Sequence, residues 1–160
     1  MKNGGFSLIE ITVAIALIGL MMGIGVPKFR KQLAIGKDTK AIAILSNIRT
    51  ACELYYLETG KPLTDNPEAD INIEGKVTEL EPYLDIKTFN EIKDGKLEIG
   101  GSRVKKTDAD EADPNIIYGG EIELTFKSPE TGKKGDGVYI WFKPEVGKDY
   151  DTKGNKWIEY

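Results

Sequence analysis

Glu10 is the charge most in need of explanation, because it sits inside an apolar run, Phe6–Val26, that otherwise suits lipid. A carboxylate there is costly, and acids in such segments are partnered and functional as a rule. The run contains no Lys or Arg to pair with it. A second set of oxygens, Asp149, Asp151 and Asn155, surrounds Gly154. Oxygen ligands alternating along a turn suit calcium, although Lys153 stands where an EF-hand-like loop needs an oxygen. The same residues also make an ordinary polar turn, and both readings stay open. Asp108, Asp110, Glu111 and Asp113 form an acidic run that reads as a solvated loop. Cys52 is the single cysteine, which excludes an intrachain disulfide, and its apolar helical surroundings make it a packing residue. Tyr55 and Tyr56 read as packing at the domain edge. With no histidine, the commonest general base is missing, and no phosphate-binding glycine loop precedes a helix. The chain reads as non-enzymatic.

These groups must be positioned by a long helix and a small head. As an α-helix, Phe6–Val26 rises roughly 30 Å, the thickness of a bilayer's hydrocarbon core. Gly19 and Gly23 form a GxxxG pair that lets helix backbones approach closely in lipid. Glycines lower helix stability and Pro27 removes a backbone donor, so Gly19–Pro27 is the weakest stretch. Ala41, Leu45, Ile48, Cys52 and Tyr55 then recur at spacings of four and three, widened by Ile44 and Ala51, which predicts one apolar face. Asp38, Lys40, Asn47, Arg49 and Glu53 fall mostly elsewhere and read as solvated. Gly60-Lys61-Pro62 stops the helix, which would run roughly 80 Å if straight.

Beyond Gly60 the pattern changes. Residues 61–75 read as a loop punctuated by Pro62, Pro67 and Gly75, and Val77–Leu84 and Ile86–Ile92 as short helical turns. Leu97 and Ile99 suggest a short strand. Ile122, Leu124 and Phe126 alternate with polar residues as a half-buried strand. Val138–Phe142, apolar on both faces, reads as a central strand, with Ser128–Gly137 as the hairpin loop before it. Lys156–Tyr160 suggests a last strand. The expected fold is α+β: one long helix packed on a small antiparallel sheet of three or four strands.

The hexapeptide Gly5-Phe6-Ser7-Leu8-Ile9-Glu10 resembles the prepilin peptidase site of type IV pilins and type II secretion pseudopilins. The resemblance covers Met1 to about Gly60. It implies a pilin-like fold with a leader at 1–5, a membrane or filament-core helix at 6–27, an amphipathic helix at 28–60 and a globular head at 61–160. It implies cleavage between Gly5 and Phe6, methylation of Phe6, and pairing of Glu10 with the α-amine of a neighbouring copy, with Gly19, Gly23 and Pro27 shaping assembly. Helicity around Gly19–Pro27 is expected in the monomer; partial extension in the polymer and a plain kink at Pro27 are equal alternatives. Implied partners are further copies of the chain, the prepilin peptidase, an inner-membrane assembly platform, and lipid before assembly. The precursor would lie in a bacterial inner membrane with its head in the periplasm, and the filament in the periplasm or at the cell surface.

An ordinary secretory signal is the competing reading of the amino-terminal residues. Its small-x-small pattern, Ala14-Ile15-Ala16, falls inside the apolar run, not after it, and such a leader carries no acid. Orientation poses a conflict. Lys28, Arg30, Lys31 and Lys37 follow the apolar run, and the positive-inside rule would place them in the cytoplasm, whereas the family resemblance places the head outside.

The whole chain has 160 residues and a formal net charge of −4, which disfavours bulk binding of nucleic acid. Outside the membrane segment the length suits one small domain. The missing second cysteine and the calcium-like turn favour a major pseudopilin of a type II secretion system. A pilus subunit for adhesion, motility or DNA uptake is the alternative, and a membrane-anchored binding module that never polymerises is the third reading.

Overall fold

The structure is a computed structural model that describes residues 7–67, 74–107, 109–129 and 134–160. Two compact units make up the chain, Met1–Leu33 and Ala34–Tyr160. Helix α1, Leu8–Thr59, supplies elements to both.

In the first unit α1 starts at a capping box. Ser7 Oγ accepts from Ile9 N at 3.3 Å, and the Glu10 carboxylate reaches back to accept from Ser7 N at 2.8 Å. Together they satisfy backbone donors that a helix start leaves orphaned. The helix continues through Gly19, Gly23 and Pro27, as expected for the monomer. Every side chain from Leu8 to Leu33 is exposed within this unit.

In the second unit α1 is amphipathic. Ala34, Asp38, Ala41, Leu45, Ile48 and Cys52 are buried at successive spacings of four and three, and Tyr55 is half-buried. Gly60 ends the helix at φ 69°, with its N–H donating to Tyr56 O at 2.8 Å. This left-handed stop is what glycine allows without a Cβ penalty. After residues 61–67, α2 (Glu74–Val77) leads into a 3-10 turn at Thr78–Tyr83, which contains Pro82, and then α3 (Ile86–Ile92). Asp85 caps α3 by accepting from Lys87 N and Thr88 N.

Six short strands follow among the described residues: β1 (Lys96–Glu98), β2 (Gly101–Arg103), β3 (Ile117–Tyr118), β4 (Glu121–Thr125), β5 (Trp141–Lys143) and β6 (Tyr150–Asp151). They form two antiparallel three-stranded sheets, ordered β1-β4-β5 and β3-β2-β6, where a single sheet of three or four strands was expected. The split falls at Gly100, between β1 and β2. A Cβ on Gly100 would lie 1.9 Å from Ala34 O, so the strands diverge where the backbone is pressed against α1. In the first sheet, Ile122 and Leu124 face the core while Glu123 lies on the outer face with Lys96 and Lys143, at 3.9 and 3.4 Å.

Two strand assignments are corrected. The central strand is β4, and the 138–142 run contributes only Trp141 and Phe142 to β5 at the sheet edge. Asp136 accepts from Val138 N and Tyr139 N, and this local turn uses donors that a strand would need. Residues Trp157–Glu159 form a 3-10 turn, not a strand, because Trp157 turns inward to pack against Phe142 at 5.3 Å between ring centroids. The core joins the α1 stripe to Leu80, Ile92, Leu97, Ile122, Leu124, Phe126, Phe142 and Trp157.

Candidate functional site

The first unit presents an apolar helical surface whose one carboxylate is Glu10. Its 18-residue window of mean hydropathy 2.2 makes α1 long and apolar enough to cross a membrane. Nothing lies within 4 Å of a Cβ built on Gly19, Gly23 or Gly25, so another backbone has room to approach there. Gly5 and Phe6 lie outside the described residues. Glu10 has a local partner that the sequence reading did not supply, the Ser7 amide, and the signal for it was the Ser7-x-x-Glu10 spacing itself. This bond lowers the cost of the acid in an apolar setting but leaves its charge uncompensated.

The second unit contains a buried acid that sequence reasoning placed in solvent. Asp38 is 2% exposed. Its Oδ1 accepts from Gly100 N at 2.7 Å and Gly101 N at 3.3 Å, and its Oδ2 accepts from Thr152 N at 3.0 Å. One helix side chain thus ties β2 and the residue after β6 to α1. Arg49 does the same further along. Its Nε donates to Ile140 O at 2.8 Å, its Nη2 donates to the Tyr160 main-chain oxygen at 2.6 Å, and its guanidinium lies 4.1 Å over the Tyr139 ring. Partial burial lowers the Arg49 pKa from its ordinary value. Asn47, Lys40 and Glu53 are exposed, as expected.

The 149–155 turn is closed by its own hydrogen bonds. Asp151 Oδ1 accepts from Gly154 N at 2.6 Å and Asn155 N at 2.8 Å; Oδ2 accepts from Asn155 Nδ2 at 3.3 Å and the Tyr160 hydroxyl at 2.7 Å. Asp149 serves the turn through its main-chain oxygen, which accepts from Trp157 N at 3.0 Å. Burial, then the bond to Asp151, push the Tyr160 hydroxyl up to about 12. Four donors occupy a carboxylate that calcium would need, and among the described residues no group of three or more acidic, histidine or cysteine side chains is placed to hold a metal. Asp151 and Asn155 are thus tied into a closed polar turn by hydrogen bonds of the turn itself and of Tyr160.

The acidic run is cross-linked to basic neighbours, with Asp108 outside the described residues. Asp110 bonds Lys156, and also lies 3.1 Å from both Lys105 Nζ and the Tyr150 hydroxyl. These bonds, that from Lys156 foremost, hold its carboxyl well below the usual carboxylate range. Glu111 pairs with Lys106 at 2.8 Å. Cys52 is 1% exposed, and burial pushes its thiol up to about 12, so it packs and does not react.

Residues 1–26 match the family model for the prokaryotic N-terminal methylation motif. Over 113 residues the chain is 30% identical to the type IV major pilin protein PilE1 of Neisseria gonorrhoeae, an alignment covering 62% of this chain and 68% of that one. The chain belongs to the type IV pilin family. Another pilin relative, a fimbrial protein of Neisseria meningitidis, is 25% identical over 152 residues, which cover 92% of this chain and 76% of its own. The type IV major pilin protein PilA of Myxococcus xanthus is 35% identical over 57 residues, 36% of this pilin and 26% of its own length. No solved structure gives a significant match.

Proposed function

We propose that this pilin is the non-catalytic structural subunit of a type IV surface pilus, stored in the membrane as a precursor and polymerised through its amino-terminal helix. The observation that carries this reading is the exposed apolar surface of Leu8–Val26 with a lone carboxylate at Glu10. Such a surface needs lipid or a bundle of like helices to cover it. Cleavage between Gly5 and Phe6 would free an amine, methylated on Phe6. That amine on one copy would neutralise Glu10 of its neighbour, with Gly19 and Gly23 admitting close helix packing and Gly19–Pro27 supplying conformational give. An ion pair in a dry core gains little net stability, so this one would act mainly to set axial register. The prepilin peptidase and an inner-membrane assembly platform are the partners this route requires.

Intact-mass spectrometry of native protein tests the processing step, with loss of five residues plus one methyl expected. Glu10→Ala tests the register step. The variant should still insert and be cut, but should yield few filaments, and a normal yield would refute the role given to Glu10.

A secretion pseudopilus is the second reading, favoured by the single cysteine, which leaves the head without an intrachain disulfide. The major-pilin relatives favour the surface pilus. Fibres sheared from cells and containing this chain would decide for the pilus. A deletion strain that loses protein secretion, with no fibres on the wild type, would decide for the pseudopilus.

A further inference from the structure

Lys28, Arg30 and Lys31 follow the apolar run within one turn of helix. All three are exposed, and none forms an ion pair among the described residues. The next two lysines along α1 behave differently: Lys37 pairs with Glu98, and Lys40 with Glu91 at 2.7 Å. No acidic residue occurs between Glu10 and Asp38, and the Asp38 oxygens are already taken by three backbone N–H groups. At about 100° per residue, Arg30 and Lys31 sit roughly 200° and 300° around the helix from Lys28. The three cations therefore fall within an arc of roughly 160° and form a basic patch on one side of the helix. From Ser7 to Lys28 the helix rises roughly 31 Å, which matches a hydrocarbon core of roughly 30 Å. When the apolar run fills the core, the basic patch lies at headgroup depth, and long Lys and Arg stems reach outward from there.

We infer that Lys28, Arg30 and Lys31 form a one-sided site for anionic phospholipid headgroups, which holds the precursor at a fixed depth before assembly. This rests on the membrane-stored precursor of the proposed function. Charge complementarity selects the occupant: three cations with no counter-ion among the described residues, at the depth where lipid phosphates are concentrated. The site also answers the orientation conflict in the sequence. Basic residues beside the head need no cytoplasmic location when headgroups of their own leaflet neutralise them. Polymerisation must strip these lipids from each subunit, so the anionic lipid content of the membrane tunes subunit supply.

The test uses the full chain in nanodiscs of equal phosphatidylcholine and phosphatidylglycerol, released into mild detergent, with retained lipids counted by native mass spectrometry. At roughly fivefold per basic side chain, attenuated by detergent, wild-type protein should retain phosphatidylglycerol over phosphatidylcholine on the order of tenfold. The Lys28→Gln/Arg30→Gln/Lys31→Gln variant should retain the two equally. Lys87→Gln/Lys93→Gln/Lys153→Gln removes the same charge from exposed head positions and should keep the preference. Equal retention by wild type, an unchanged preference in the Lys28/Arg30/Lys31 variant, or an equal loss in both triple variants would overturn the inference. Carbonate extraction of the same membranes reports anchoring separately. A chain that washes out refutes the stored precursor, whereas an integral chain without lipid preference refutes the headgroup site alone.

Discussion

The Thr152 N–H donates to the Asp38 carboxylate at 3.0 Å, joining residues 114 positions apart. The same carboxylate also holds Gly100 N and Gly101 N, so a single helix side chain organises the second sheet around α1. A buried carboxylate without a cation is tolerable only when N–H donors satisfy it. Here the donors are backbone groups of two different segments, which makes the arrangement a structural keystone.

Asp38→Ala leaves those buried donors unsatisfied and should cost about 3–5 kcal/mol, while Asp38→Asn, which turns an amide N–H₂ toward an N–H, should cost about 2 kcal/mol. Urea unfolding of the full chain in detergent, followed by fluorescence of buried Trp157, measures both. A change under about 0.5 kcal/mol, the scale of a surface substitution, would contradict the role given to Asp38.

Two glycines on either side of the α1–strand contact should respond with opposite signs. Gly100→Ala drives a methyl into Ala34 O and should destabilise by about 3 kcal/mol. Gly36→Ala, on the same helix with open space around its Cβ, should stabilise by about 1 kcal/mol. The same unfolding curves report the two effects.

Cys52 should resist alkylation in the folded protein. Its thiol, raised to about 12, stays protonated at pH 8, whereas an unfolded cysteine near 8.5 is partly thiolate. Iodoacetamide should label Cys52 in urea within minutes and leave the native chain unlabelled over the same time, as read by mass shift.

The Asp110 cluster should be sensitive to acid. Its folded pKa is depressed, chiefly by Lys156 and then by Lys105, so its stabilisation is full above the unfolded value of about 3.9 and fades as pH falls through the lower folded value. Melting temperatures of wild type and Asp110→Asn should differ at pH 6, and the difference should begin to shrink as pH falls below about 4. The group is largely exposed, so added salt should shrink the difference at pH 6 as well.

Much of the helix was legible because its signals are local. The spacing of Leu45, Ile48 and Cys52, and the stop at Gly60, need no knowledge of the rest of the chain. Asp38 was misread because its polarity outweighed its position. It continues the stripe Ala34-Asp38-Ala41-Leu45, and periodicity alone would have placed it inside. The second sheet was not legible, since Gly101–Arg103 and Tyr150–Asp151 are too short for an alternating pattern and pair only across a long separation. Asp149, Asp151 and Asn155 have the composition of a cation loop, and only the inward turn of Tyr160 and the Asn155 amide shows that Asp151's lone pairs are spent.

The span between Asp38 and Thr152 also fixes an order of events during synthesis. At about 5–20 residues per second, a ribosome needs roughly 6–23 s to pass from one to the other. Throughout that interval the core that covers Leu45 and Ile48 is incomplete, and its last buried member, Trp157, emerges only after Thr152. Closure of the Asp38 ring then marks the subunit as finished.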